Sequence, residues 1–185
     1  MKRAGRILTK LLLATLWLAG AVDTLGYIEL VRGNFSTAAK HLTEALEIDK
    51  GYGSGSWRTA GGLQNLGLAR LRLGQLDEAE ALFEESVSMS LELHVDPTIA
   101  NHLECIAALN TARRRPERAA VLLGAAQAAR DALETPLEPF ERQLHEETLS
   151  ELNTELGGSR LVELLAEGAA LTLEDAIEHT RCSIH

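Results

Sequence analysis

The sequence predicts an all-α fold, a solenoid of stacked helical hairpins, and three observations carry that reading. A 22-residue phrase occurs twice at an offset of 41, as LGYIELVRGNFSTAAKHLTEAL from Leu25 to Leu46 and as LGLARLRLGQLDEAEALFEESV from Leu66 to Val87. The positions shared by the two copies are mostly small or apolar, which is what a helical hairpin needs where it stacks on its neighbour. Composition agrees: the 185 residues are rich in Leu and Ala, only 4% are aromatic and 4 are proline, a balance that favours packed helices over sheets.

The chain opens with three cations between Met1 and Arg6, followed by a strongly apolar run from Leu11 to Leu18 and the small-x-small triplet Ala19-Gly20-Ala21. That order suits a secretory signal peptide. Lys10 interrupts the start of the apolar run, however, and cleavage after Ala21 would trim a helix expected to begin near Ala19. Residues 1–18 are therefore expected to form an apolar helix packed on the first hairpin, with a signal peptide as the alternative. The run is too short and too interrupted for a membrane span.

In the first hairpin, Gly26 sits inside an apolar stretch at helical spacing, where glycine costs about 0.5–1 kcal/mol relative to alanine. Close approach of a second helix should offset that cost, and Ala38 plays the same part from the other side. Between them Gly33-Asn34 ends one helix with a residue that tolerates positive φ, and Phe35 begins the next. Gly67, Gly74-Gln75, Leu76 and Ala79 repeat the arrangement in the second hairpin. A weaker third copy follows from Ile106, with Ala107 at the helical glycine position, Arg114 at the turn glycine and Pro116 at the turn apolar position. Ala119, Leu123 and Ala126 keep the pattern of its second helix.

Breakers divide the rest. Gly51 to Ser56 reads as a flexible link, with Trp57 starting the next helix, and Asp96-Pro97 reads as the boundary before the third hairpin, Pro97 at a first helical position. A long helix from near Glu117 should end at Pro136 and Pro139, and another should run from about Phe140 to Leu156. Gly157-Gly158-Ser159 should turn the chain, and Thr172 with Asp175 reads as a capping box opening a last short helix. Three regions follow: 1–18, three hairpins over 19–134, and C-terminal capping helices over 135–185, since the end of a stack needs a polar outer face.

These residues resemble the tetratricopeptide repeat. The resemblance lies in Leu25-Gly26 and Leu66-Gly67 in the first helix, in Gly33 with Phe35 and Gly74 with Leu76 across the turn, and in Ala38 and Ala79. It extends to Leu42 with Ala45 and to Phe83 with Ser86. The spacing of 41 exceeds the usual repeat of about 34 residues, implying longer helices or connections. A second resemblance covers RRPERAAVLLGAAQAARDALETPLEPFERQLHEETLSELNTELG and LAEGAALTLEDAIEHT, which look like the C-terminal end of the repeat region in large bacterial signal-transduction ATPases and transcription regulators. It implies a cytoplasmic sensor or scaffold arm that binds protein and performs no chemistry. An exported or envelope assembly factor built on the same repeats is the alternative.

Residue chemistry agrees with a non-enzyme. No G-x-x-x-x-G-K-[ST] stretch is present to wrap phosphates, and the formal net charge of −9 weighs against direct nucleic-acid binding. The basic cluster Arg113-Arg114-Arg115 with Arg118 closes a helix, where cations complement its dipole. His145-Glu146-Glu147 lacks the second histidine of H-E-x-x-H and reads as an exposed helix face, as do Asp77-Glu78 and Glu84-Glu85. His179, Cys182 and His185 recur at metal-ligand spacing but lack a fourth ligand, so no metal and no cofactor is expected. Cys105 reads as a small buried hydrophobe.

In the fold that the resemblance implies, the first helix of each hairpin lines a concave groove. The residues expected to face it are Asp23, Tyr27 and Leu30; Gln64, Leu68 and Arg72; and Glu104, Ala108 and Thr111. Asp23, Gln64 and Glu104 occupy matching places, a polar and partly acidic stripe beside the apolar Tyr27, Leu30 and Leu68. The stripe suits an extended or helical peptide carrying a basic residue and an apolar anchor. The plainer reading is that part of it packs against helices of its own stack.

Overall fold

The computed structural model describes residues 2–51, 56–93 and 98–181, with backbone alone at 2–14, 16, 139 and 181. Its described residues form nine α-helices and no strand: α1 (Lys2–Val31), α2 (Phe35–Lys50), α3 (Trp57–Arg72), α4 (Leu76–Glu92), α5 (Ile99–Ala112), α6 (Pro116–Leu133), α7 (Pro139–Leu156), α8 (Gly158–Ala169) and α9 (Leu173–Arg181). They pack in adjacent pairs, so the fold class is the all-α hairpin stack that the repeat predicts. Of the link expected over Gly51 to Ser56, residues 52–55 lie outside the described residues, as do Asp96 and Pro97 at the next expected boundary. No helix among the described residues is long and apolar enough to cross a membrane.

The first compact unit, up to Met89, is built from the two sequence copies. A Cβ at Gly26 would stand 2.6 Å from Leu42 Cγ, and one at Gly67 would stand 2.5 Å from Phe83 Cε1. The missing side chains of α1 and α3 are thus filled by the bulky residues of α2 and α4 at equivalent positions. Burying Leu42 or Phe83 contributes about 1.5–3 kcal/mol, which exceeds the roughly 1 kcal/mol lost by glycine within a helix. Ala38 and Ala79 are fully buried. Ser86, at the small position of the second copy, is also buried, and its hydroxyl donates to the Ala60 carbonyl at 2.6 Å, linking α4 to α3. Helix α2 packs on α3, which joins the two hairpins.

One turn geometry recurs. After α1, Gly33 has φ +78°, its N–H donates to the Leu30 carbonyl at 3.0 Å, and the Asn34 N–H reaches the Glu29 carbonyl at 2.9 Å. Gly74 repeats this after α3 with φ +76°, through bonds of 3.0 and 2.9 Å to the Leu71 and Arg70 carbonyls. The double bond satisfies carbonyls that a helix end leaves open. Arg114 adopts the same turn after α5 with φ +60°, although a side chain disfavours that region.

The second unit, from Ser90, holds the pair α5–α6, with α7 packed on both, α8 on α6 and α7, and α9 on α6 and α5. Its C-terminal helices form a further pair against α5–α6. Two expectations are corrected here. Helix α6 ends at Leu133 with Glu134 left-handed at φ 52°, ahead of the prolines, and Pro139 opens α7. Of the glycine-serine triplet only Gly157 is outside a helix, with φ +78°, and α8 begins at Gly158. The Thr172 hydroxyl accepts the Asp175 N–H at 3.2 Å, as a cap of α9 should. Helix α1 runs unbroken past residue 18, so no structural break separates the apolar N-terminal run from the first hairpin.

Candidate docking site

In the first unit a cleft of about 570 Å³ opens between α1 and α3. Trp17, Gly20, Asp23 and Thr24 line it from α1, and Trp57 with Arg58 from α3. Local sequence explains the placement. Ser56 caps α3, its hydroxyl oxygen accepting the Thr59 N–H at 3.3 Å, which sets Trp57 as the first helical residue. The Arg58 guanidinium lies over Gly20, 3.6 Å from where a Cβ would be, an ordinary contact distance. Gly62 faces α1 more tightly: a Cβ there would stand 3.2 Å from Asp23 Oδ1.

The electrostatics of the cleft are those of a half-buried acid. Arg58 Nη2 donates to Asp49 Oδ1 at 2.8 Å, and Asp49 of α2 is buried. Burial pushes the Asp23 carboxyl up from 3.8 to about 6, with the Arg58 charge opposing the rise and the Asp49 charge adding to it. Trp17 and Trp57, the chain's 2 tryptophans, are 79% and 70% exposed. Leu18, Leu25, Ile28 and Val31 are also exposed along α1.

The expected groove residues divide between surface and interior. Asp23, Tyr27, Gln64 and Arg72 of the first unit are partly exposed, and the Arg72 guanidinium lies 6.0 Å from the centre of the Phe35 ring. Leu30 and Leu68 are buried and belong to the core. Glu104, Ala108 and Thr111 are interior residues of the second unit, where α7 packs on α5 and α6. These five therefore do not line an open groove, because packing of their own helices covers them. Thr111 spends its hydroxyl on the Ala107 carbonyl at 3.0 Å.

Glu104 sits at the centre of a buried polar cluster. It pairs with Arg130 of α6 and accepts from His145 of α7, Nδ1 to Oε1 at 2.6 Å. Arg130 also donates to Asn101 Oδ1 at 2.8 Å, and Asn101 donates to Glu141 Oε1 at 2.6 Å. Burial pushes the Glu141 carboxyl above its ordinary range, opposed by the Glu138 N–H and by Arg130. The reading of His145 as an exposed residue is thus corrected: only Glu146 of that triplet is exposed, and His145 and Glu147 are partly buried. The adjacent Cys105 is buried, and burial, with the Glu104 and Glu141 charges, holds its thiol well above the ordinary range. A thiol so held is a poor nucleophile, and the cluster reads as a structural tie among three helices.

Cys182 and His185 lie outside the described residues, and the His179 ring stands 3.2 Å from the Asp175 carbonyl. No group of three His, Cys, Asp or Glu that could hold a metal occurs among the described residues. Reading the sequence by repeat position missed Trp17, Asp49, Trp57 and Arg58. A usable signal was present: the two tryptophans stand 40 residues apart, close to the repeat offset of 41.

The tetratricopeptide repeat family matches residues 13–92, spanning both hairpins of the first unit, and supports a tetratricopeptide repeat domain there. No curated protein and no solved structure gives a significant match. Repeats of this family generally mediate protein–protein interaction, and an all-helical repeat fold is typically a non-catalytic interaction module.

Proposed function

We propose, with the tetratricopeptide match over residues 13–92 as premise, that the chain is a non-catalytic repeat module whose protein partner seats on the first unit at the α1–α3 cleft. One observation carries the site: both tryptophans stand mostly in water beside the same half-buried carboxyl. Each indole would contribute about 1.5–3 kcal/mol if covered, and tryptophans are preferred anchors of interfaces. We extend the proposed docking face to Tyr27 of α1 and to Gln64 and Arg72 of α3, which are partly exposed. A protein is the better partner than nucleic acid, given the net charge of −9. In a pull-down, Trp17→Ala with Trp57→Ala should weaken partner capture at least about tenfold. Full retention by the folded double variant would turn the reading away from this cleft.

The finer role we assign is the sensor or scaffold arm of a bacterial regulator, working in the cytoplasm. Support comes from the resemblance of the C-terminal half to the repeat ends of signal-transduction ATPases. The packing of Ala19, which is buried, also supports it, since cleavage after Ala21 would remove part of the helix that packs on α2. Residues 1–30 fused to a reporter active only after export test the location: export would sink the cytoplasmic assignment. An ATPase reading frame beside this one would favour the regulator role, and its absence would count against it.

A further inference from the structure

We propose that the α1–α3 cleft takes an arginine side chain of the partner, its guanidinium held by the Asp23 carboxylate against the indoles of Trp17 and Trp57. The inference rests on the docking reading above and adds to it the chemistry of the anchor.

Charge decides the sign of the ligand. The charged groups that meet at the cleft are Asp23 from α1, Asp49 from α2 and Arg58 from α3. Arg58 is already engaged by Asp49 at 2.8 Å, so the ionised Asp23 leaves one net negative charge to be met. An anion would face that carboxylate, whereas a cation would offset the solvation that burial has removed from it, adding to the partial attraction of Arg58. The exposed indoles narrow the choice further. A cation over an indole face is attracted by the ring quadrupole, by about 0.5–1 kcal/mol at exposed sites and more when desolvated. Guanidinium, being planar and weakly hydrated, both stacks on such rings and donates paired N–H groups to a carboxylate, which an ammonium does less well. Protonation of Asp23 removes the negative charge, so the site should loosen as the solution is made acidic.

The protein carries its own reporter, because both of its tryptophans line this cleft. Indole emission is titrated with N-acetyl-arginine amide and, separately, with its neutral analogue N-acetyl-citrulline amide, at mildly alkaline pH. A saturable change is expected with arginine, with half-saturation at least about tenfold weaker for citrulline and for arginine on Asp23→Asn, the loss of one charged hydrogen bond. The arginine response should weaken as pH is lowered through 6, near the pKa of Asp23. Asp23→Asn keeps the side-chain shape, and its helical circular dichroism verifies that it is folded. Equal responses to the two probes, or an unchanged arginine response in folded Asp23→Asn, overturn the proposal. The two readings separate in the pull-down: if Asp23→Asn captures the partner as well as wild type does, the arginine anchor falls while docking stands. If the tryptophan double variant also retains it, docking at this cleft falls as well.

Discussion

Gly124 of α6 and Gly168 of α8 each lie against the backbone of the other's helix. A Cβ on Gly124 would fall far inside contact distance of the Leu165 carbonyl oxygen, and one on Gly168 would do the same to the Val121 carbonyl oxygen. The neighbouring atoms are main chain on both sides, so no side chain can swing away to make room.

Alanine at either position should therefore force the two helices apart. We expect Gly124→Ala or Gly168→Ala to cost about 3 kcal/mol, the upper end of overpacking. Gly61 of α3 offers the control, since a Cβ there meets nothing within 4 Å. Gly61→Ala should instead stabilise by about 0.5–1 kcal/mol through helix propensity and unfolded-state entropy. Thermal melts of the three variants check the contrast, and a mild Gly124→Ala would mean that α8 can slide along α6.

That crossing also marks where reading the sequence stops. Gly26 and Gly67 were legible as close-approach positions because the hairpin repeats itself and each copy checks the other, although the side chains that fill them, Leu42 and Phe83, emerge only from the packing. Gly124 and Gly168 meet across 44 residues without a second copy, and neither names its partner. Glu104 shows the same limit. Its repeat position matches Asp23, yet α7 packs on α5 and α6, so equivalent backbone places receive different surroundings. Trp17 and Trp57 are not legible from the repeat because its pattern is carried by the small residues that hold a stack together, whereas exposed anchors fall on the remaining faces.

Arg114 sits at φ +60° in a turn that the first two hairpins build with glycine. Left-handed backbone costs a side-chain-bearing residue roughly 1–2 kcal/mol. Its pairing with Glu155 offsets little, since Arg114 is largely exposed. Arg114→Gly should raise stability by about 0.5–1 kcal/mol, seen as a shift of the denaturation midpoint with unchanged slope. A loss of stability would show that the Glu155 pair outweighs the strain.

The Glu104–Arg130 pair is buried at both ends, so its two halves are not independent. Glu104→Ala leaves the Arg130 charge inside the fold without its carboxylate and should cost about 3–5 kcal/mol. Replacing both by apolar residues of similar size, Glu104→Leu with Arg130→Met, should recover much of that, because the desolvation of two charges is relieved together. Chemical denaturation of Glu104→Leu, Arg130→Met and their double variant measures the coupling. Additive losses would mean that His145 and Asn101, and not the ion pair, hold the cluster.

Asp23 gives the first unit a pH dependence of opposite sign to that of most surface acids. Burial holds its pKa at about 6 in the folded chain against 3.8 for a solvated aspartate. Between those values the native state binds a proton that the unfolded state has released, so stability falls as pH rises through the window. Above it the ionised carboxylate costs about 1–2 kcal/mol, a range already discounted for partial exposure. Asp23→Asn removes the charge and should raise the melting temperature at mildly alkaline pH by roughly 2–4 °C per kcal/mol. Well below pH 3.8, where the wild-type carboxyl is neutral in both states, the two proteins should melt together. A variant that melts lower than wild type in alkali would mean that the attraction of Arg58 exceeds the burial penalty. In that case the cleft would already hold the countercharge that an incoming cation is expected to bring.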